Sequence, residues 1–201
     1  MTTLPANPPS QSRLIFLQTL TLVWMLIECA VSLFSAAQAH SPVLLAFGAD
    51  SFVELLSASL VVVALAPRLR FSQRHINNAA GGLLFILAAI VALSSILALA
   101  GKVHPKASPL GIAITIAALV VMPVLAWQKR ILARQTHNNA LAADAIQSAT
   151  CAYLALIALS GLILNATFHI AWADCLAALA AIPILIIEAR RAMRGHSCGC
   201  C

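Results

Sequence analysis

A chain of 201 residues with 62% hydrophobic and only 9% charged residues lacks the polar surface of a soluble globule, where about 25% are charged. It carries 12 Lys and Arg against 6 Asp and Glu, a formal net charge of +6. Every acid falls within or beside an apolar run and the bases fall mostly between runs, so the charge reads as membrane topology and not as a nucleic-acid footprint.

In chain order, residues 1–13 read as a disordered arm containing Pro5, Pro8 and Pro9. Six stretches then have the length of a membrane-crossing helix, which needs about 20 residues. They are Leu14–Ala37, Val43–Ala66, Ala79–Ala100, Pro109–Trp127, Ala140–Leu164 and Phe168–Ala189. These runs are long, rich in Leu and Ala and do not alternate, so an all-α, polytopic membrane protein is expected, a six-transmembrane-helix bundle over residues 14–189. Residues 190–201 form a basic, Cys-rich tail, and no connection is long enough to be a further domain. The first span ends in Ala37-Gln38-Ala39, which is similar to a signal-peptide cleavage site. Its apolar core exceeds the roughly 7–15 residues of a signal peptide and contains Glu28, so a retained span is expected. Pro123 and Pro183 are expected to kink their spans, and Asn77, Asn78, Asn138 and Asn139 to cap the helices that follow them.

The first, third and fifth connections carry only Lys102 and Lys106. Arg13, Arg68, Arg70, Arg74, Lys129, Arg130, Arg134, Arg190, Arg191 and Arg194 lie at the opposite ends of the spans. The positive-inside rule then places both termini in the cytoplasm, in a cell (inner) membrane.

The chemistry centres on Asp50 and Glu54, four residues apart in the second span and so on one helix face. A charge near the bilayer centre costs roughly 2.5–3.5 kcal/mol on insertion scales and usually marks an ion or proton pathway. The fifth span carries a second polar stripe, Asp144, Gln147 and Cys151. At 1.5 Å per residue, Asp50 and Glu54 lie roughly 10 and 16 Å from one membrane edge, and Gln147 and Cys151 roughly 10 and 16 Å from the other. All four meet near the midplane. Two carboxylates, an amide oxygen and a thiolate suit a borderline divalent ion such as zinc. Asp144 and the deep Glu28 are candidates for supporting groups or a proton path, whereas Asp174 and Glu188 flank the sixth span and are expected at the interface. In the tail, His196, Cys198, Cys200 and Cys201 have the ligand density of a soft-metal site.

The Asp50-Ser-Phe-Val-Glu54 motif, following Ala46-Phe47-Gly48-Ala49, resembles the cation diffusion facilitator family, whose second helix carries Asp-x-x-x-Asp. Ala143-Asp144 with Gln147 and Cys151 resembles the family's fifth-helix motif, in which His or Asp and then Asp stand at the last two positions. The resemblance implies a six-helix divalent-cation transporter, not an enzyme, with no resident cofactor, that exports cytoplasmic metal as a homodimer. It implies a transport site of Asp50, Glu54, Gln147 and Cys151. The chain departs from the family at Glu54, Gln147 and Cys151 and ends at Cys201 without the family's soluble domain. Gln147 does not titrate, so the usual His-linked proton coupling does not carry over. Two other readings stay open at this level: a non-transporting metal-binding scaffold, and a membrane thiol oxidoreductase. The second has no Cys-x-x-Cys motif to support it.

Overall fold

The computed structural model describes the backbone of residues 9–64, 73–102, 104–136 and 139–194. Six helices follow one another: α1 (Pro9–Ala39), α2 (Pro42–Ala64), α3 (Gln73–Leu99), α4 (Pro109–Thr136), α5 (Asn139–Phe168) and α6 (Ala171–Arg194). There is no strand among the described residues. Five of the helices, all but α2, contain described stretches long and apolar enough to cross a membrane. The α2 sequence has Asp50 and Glu54 as its only charges.

Local chemistry sets the ends. Pro9, Pro42 and Pro109 each open a helix, where a missing N–H costs nothing. Ser41 and Ser108 stand just before two of these prolines, and their hydroxyls accept the backbone N–H of Leu44 (3.3 Å) and Gly111 (3.0 Å) as N-caps. His40 (φ 52°) and His169 (φ 55°) turn the chain left-handed after α1 and α5, and Gly101 (φ 73°) does so after α3.

The helices overrun the expected spans, since the hydrogen-bonded ladder continues past the apolar stretch. α1 already begins at Pro9, inside the stretch expected to be a disordered arm. α3 begins at Gln73, so Asn77 and Asn78 lie inside the helix and do not cap it. α4 continues to Thr136, which puts Lys129 in a helix and not in a connection. Phe168 closes α5 instead of opening α6. α4 and α6 remain α-helical through Pro123 and Pro183. The residues 196–201, with His196, Cys198, Cys200 and Cys201, and the connection bearing Arg68 and Arg70 lie outside the described residues.

Packing follows small side chains. α4 lies along α5, α3 along α6 and α1 along α2, while α2 also touches α3, α5 and α6. Ala46, Ala118, Ala155, Ala158 and Ala178 are fully enclosed, whereas Phe16, Ile86, Val120 and Leu156 face outward, as in a bundle whose exterior meets lipid. A Cβ on Gly81 would stand 2.7 Å from the Ala189 carbonyl oxygen and meet Met193, so α3 and α6 touch nearly backbone to backbone there. The α1–α2, α3–α4 and α5–α6 turns gather at one end. Asp174 of α6 accepts the Ser41 hydroxyl (2.5 Å) and the Val43 N–H (3.1 Å), the Lys106 N–H reaches the Ala39 carbonyl (2.8 Å), and the Asn165 amide reaches the Pro105 carbonyl (3.2 Å). Asp174 is therefore not a solvent-facing interfacial residue. It is fully buried and caps the start of α2.

Candidate metal centre

Asp50 lies two turns into α2 and Glu54 one turn further, on the same face. Glu188 of α6 joins them. Each of the three offers a carboxylate oxygen, and these oxygens lie within 4.8 Å of one another. Asp50 is fully buried, and Glu54 and Glu188 are 9% and 8% exposed. Both Asp50 oxygens, Glu54 Oε1 and Glu188 Oε2 have no hydrogen-bond donor. Buried carboxylates without donors are costly, since each unsatisfied group forfeits roughly 1–3 kcal/mol of solvation. Three in one place, converging and with four of their six oxygens unmet, form an acceptor-rich cage of the kind a cation can fill.

The α5 residues border this cage. Gln147 lies within hydrogen-bonding reach of Glu54, and Thr150 within reach of Glu188. Cys151 is fully buried one turn further on, and its thiol donates to Glu28 Oε1 at 3.2 Å. The structure thus brings Asp50, Glu54 and Gln147 together and holds Cys151 on Glu28.

Glu28 is a hub. Its Oε1 also accepts the Ser51 hydroxyl at 2.5 Å, and its Oε2 accepts the Trp24 indole N–H at 2.8 Å. Three donors from α1, α2 and α5 satisfy a carboxylate that is fully enclosed. Trp24, which stands away from either span end, is explained by that bond. Asp144 pairs with Lys129 across α4 and α5: Nζ lies 2.9 Å from Oδ2, and Nζ also donates to Ser148 at 2.9 Å. Lys129 is fully buried and Asp144 30% exposed, so this pair braces the end of the bundle opposite the turns.

Glu188 is the site residue that the sequence reading placed elsewhere. Counted along a span ending at Ala189, it stood at the interface. In the structure α6 runs on to Arg194, leaving Glu188 more than a turn from the helix end. No local signal in the sequence pointed to it, because its place depends on the register of α2 against α6. Asp174 is level with Val43. From there Glu54 lies about 16 Å down its helix and Glu188 about 21 Å down the other. Two long side chains and a helix tilt absorb that difference.

Six helices, five of them with described stretches long and apolar enough to cross a membrane, packed around a buried acidic centre define a multi-pass membrane protein. Residues 78–195, more than half of the chain, match the model of the cation efflux transmembrane domain. The chain belongs to the cation efflux family, and is a cation transporter of the cation diffusion facilitator type. No curated protein matched it. The matched stretch includes Gln147, Cys151 and Glu188 and begins after Asp50 and Glu54.

Proposed function

We propose that this protein carries a divalent cation, zinc first among them, out of the cytoplasm through the centre at Asp50 and Glu54. The observation that carries the reading is Asp50 itself: fully buried, with two carboxylate oxygens that no donor meets, one turn from a second acid. An ionisable group kept at such a cost inside a membrane usually marks an ion or proton pathway. The ion travels as cargo. It enters when the centre opens to the cytoplasm and leaves when the helices rock to expose the other face, as alternating access requires. Carboxylate ligands bind metal only when deprotonated, so protons compete with the ion and are the natural counter-ion. We further propose that both termini are cytoplasmic, on the charge distribution, and that the carrier works as a homodimer in a cell (inner) membrane. The tail thiols Cys198, Cys200 and Cys201, with His196, would concentrate metal at the cytoplasmic mouth.

The experiment is metal flux into proteoliposomes, with zinc reported by a trapped indicator. Wild-type protein should move metal, and the Asp50→Asn, Glu54→Gln double variant should not. Equal flux by the two would end the reading. Binding without flux in the wild type would identify a scaffold instead of a carrier.

A further inference from the structure

The two acids on α2 are not enough for a divalent ion. They need further ligands, and α5 supplies an amide at Gln147 and a thiol that is occupied elsewhere. The third carboxylate in reach comes from α6, which packs against both α2 and α5. Resting on the cation-carrier reading above, we propose that Glu188 is a direct ligand of the transported ion. The centre is then a three-carboxylate, all-oxygen site between α2 and α6, with Cys151 outside the coordination sphere as a hydrogen-bond donor to Glu28.

Three observations carry this. First, the geometry is already that of a ligand set: one oxygen from each of Asp50, Glu54 and Glu188 lies within 4.8 Å of the others. Ligand oxygens about 2.0–2.6 Å from a common metal ion stand roughly 3–4 Å apart, so a side-chain adjustment of about 1 Å closes the three around one ion. Second, Glu188 is 8% exposed and its Oε2 has no donor, so a buried carboxylate oxygen is left free for a cation. Among the neighbours of α6, Thr150 reaches Glu188, and Arg191, less than a turn along, sets a positive charge nearby without closing an ion pair with it. Third, Cys151 already has a role. Its S–H points at Glu28 Oε1, which also takes the Ser51 hydroxyl. For Cys151 to ligate, its proton must leave and its bond to Glu28 must break.

The substrate class follows from the donor atoms. An all-oxygen centre gives a thiophilic ion no advantage, so cadmium should gain nothing over zinc beyond what size allows, and harder ions such as manganese should be accepted. Glu188 is also the ligand nearest the end of the bundle where the chain terminates, since it lies deeper along α6 than Glu54 does along α2. It is placed to be the first of the three ligands an ion meets from that side, beyond the Lys129–Asp144 pair.

The probe is cobalt(II), whose absorption reports its ligands. The protein is the full chain in detergent with Cys198, Cys200 and Cys201 replaced by serine, so that only helix thiols remain. Cobalt should bind with ligand-field bands and no sulfur-to-cobalt charge-transfer band. Cys151→Ser should leave both spectrum and affinity unchanged, because a serine hydroxyl still donates to Glu28. Glu188→Gln should weaken cobalt binding at least tenfold, and Glu188→Asp should recover part of that loss. Helix content and unfolding in chelator are measured on each variant to separate ligation from folding. Wild-type affinity in Glu188→Gln would overturn the proposal, as would a charge-transfer band that Cys151→Ser abolishes. Either result would leave a transporter with Asp50 and Glu54 intact. Cobalt binding lost in Asp50→Asn but kept in Glu188→Gln would overturn the α6 ligand alone. A wild-type protein that binds no divalent ion would overturn both readings.

Discussion

Replacing Asp50 with Asn should make the metal-free protein more stable and the metal-loaded protein less stable than the wild type. Both Asp50 oxygens are buried without a donor, and the facing oxygens, Glu54 Oε1 and Glu188 Oε2, also lack one. An Asn amide at that position brings two N–H donors to within reach of these acceptors. It also removes one of three acids crowded within 4.8 Å. Satisfying a buried acceptor is worth roughly 1–3 kcal/mol, so a gain of about 1–2 kcal/mol is expected in chelator. Metal acts in the opposite sense. A ligand at a hundredfold excess over its Kd stabilises the folded state by about 2.7 kcal/mol, a gain open to the wild type and closed to the variant. The two curves should therefore change order between chelator and excess zinc. The assay is unfolding in mild detergent followed by helical circular dichroism, with EDTA and with zinc. An Asp50→Asn protein that is less stable in chelator would show that Asp50 holds the bundle together. One that gains as much from zinc as the wild type would show that Asp50 does not bind it.

Lys129 and Asp144 should respond unequally to truncation. Asp144→Ala strands a fully buried ammonium with only Ser148 and should cost about 3 kcal/mol, whereas Lys129→Met leaves a carboxylate that is 30% exposed and should cost about 1 kcal/mol. Equal costs in the same unfolding assay would mean that water reaches both. Glu28→Gln keeps a carbonyl for Ser51 and Cys151 but turns an NH2 toward the Trp24 indole N–H, so about 1–2 kcal/mol should be lost. Its flux should keep the wild-type pH dependence, since donors occupy both carboxylate oxygens; a flattened pH profile would instead make Glu28 a proton carrier. Gly81→Ala should push α6 away through the Ala189 carbonyl and Met193, destabilise by about 1–3 kcal/mol and weaken metal binding at the adjacent Glu188. Gly82→Ala, whose Cβ meets nothing within 4 Å, is its control and should be neutral or mildly stabilising; equal effects of the two would refute the close-contact argument.

The helices were legible in the sequence because a membrane-crossing segment must satisfy its own backbone, and only a long apolar helix does so alone. Apolar length therefore gave all six elements in order, while polar extensions such as Gln128–Thr136 escaped it, because a helix does not stop where hydrophobicity does. The pairing of Asp50 with Glu54 was equally local, fixed by 3.6 residues per turn on a single helix. Which groups those acids would meet was not local. Glu188 lies 134 positions beyond Glu54, and its arrival depends on the register that Asp174 imposes on the start of α2 and on the close approach that Gly81 permits between α3 and α6. The diversion of Cys151 to Glu28 and the enclosure of Lys129 beside Asp144 depend in the same way on rotations of helices about their axes. Spacing along one helix shows which residues share a face. The face that another helix presents to them is set by packing summed over the whole bundle, and that is decided only in three dimensions.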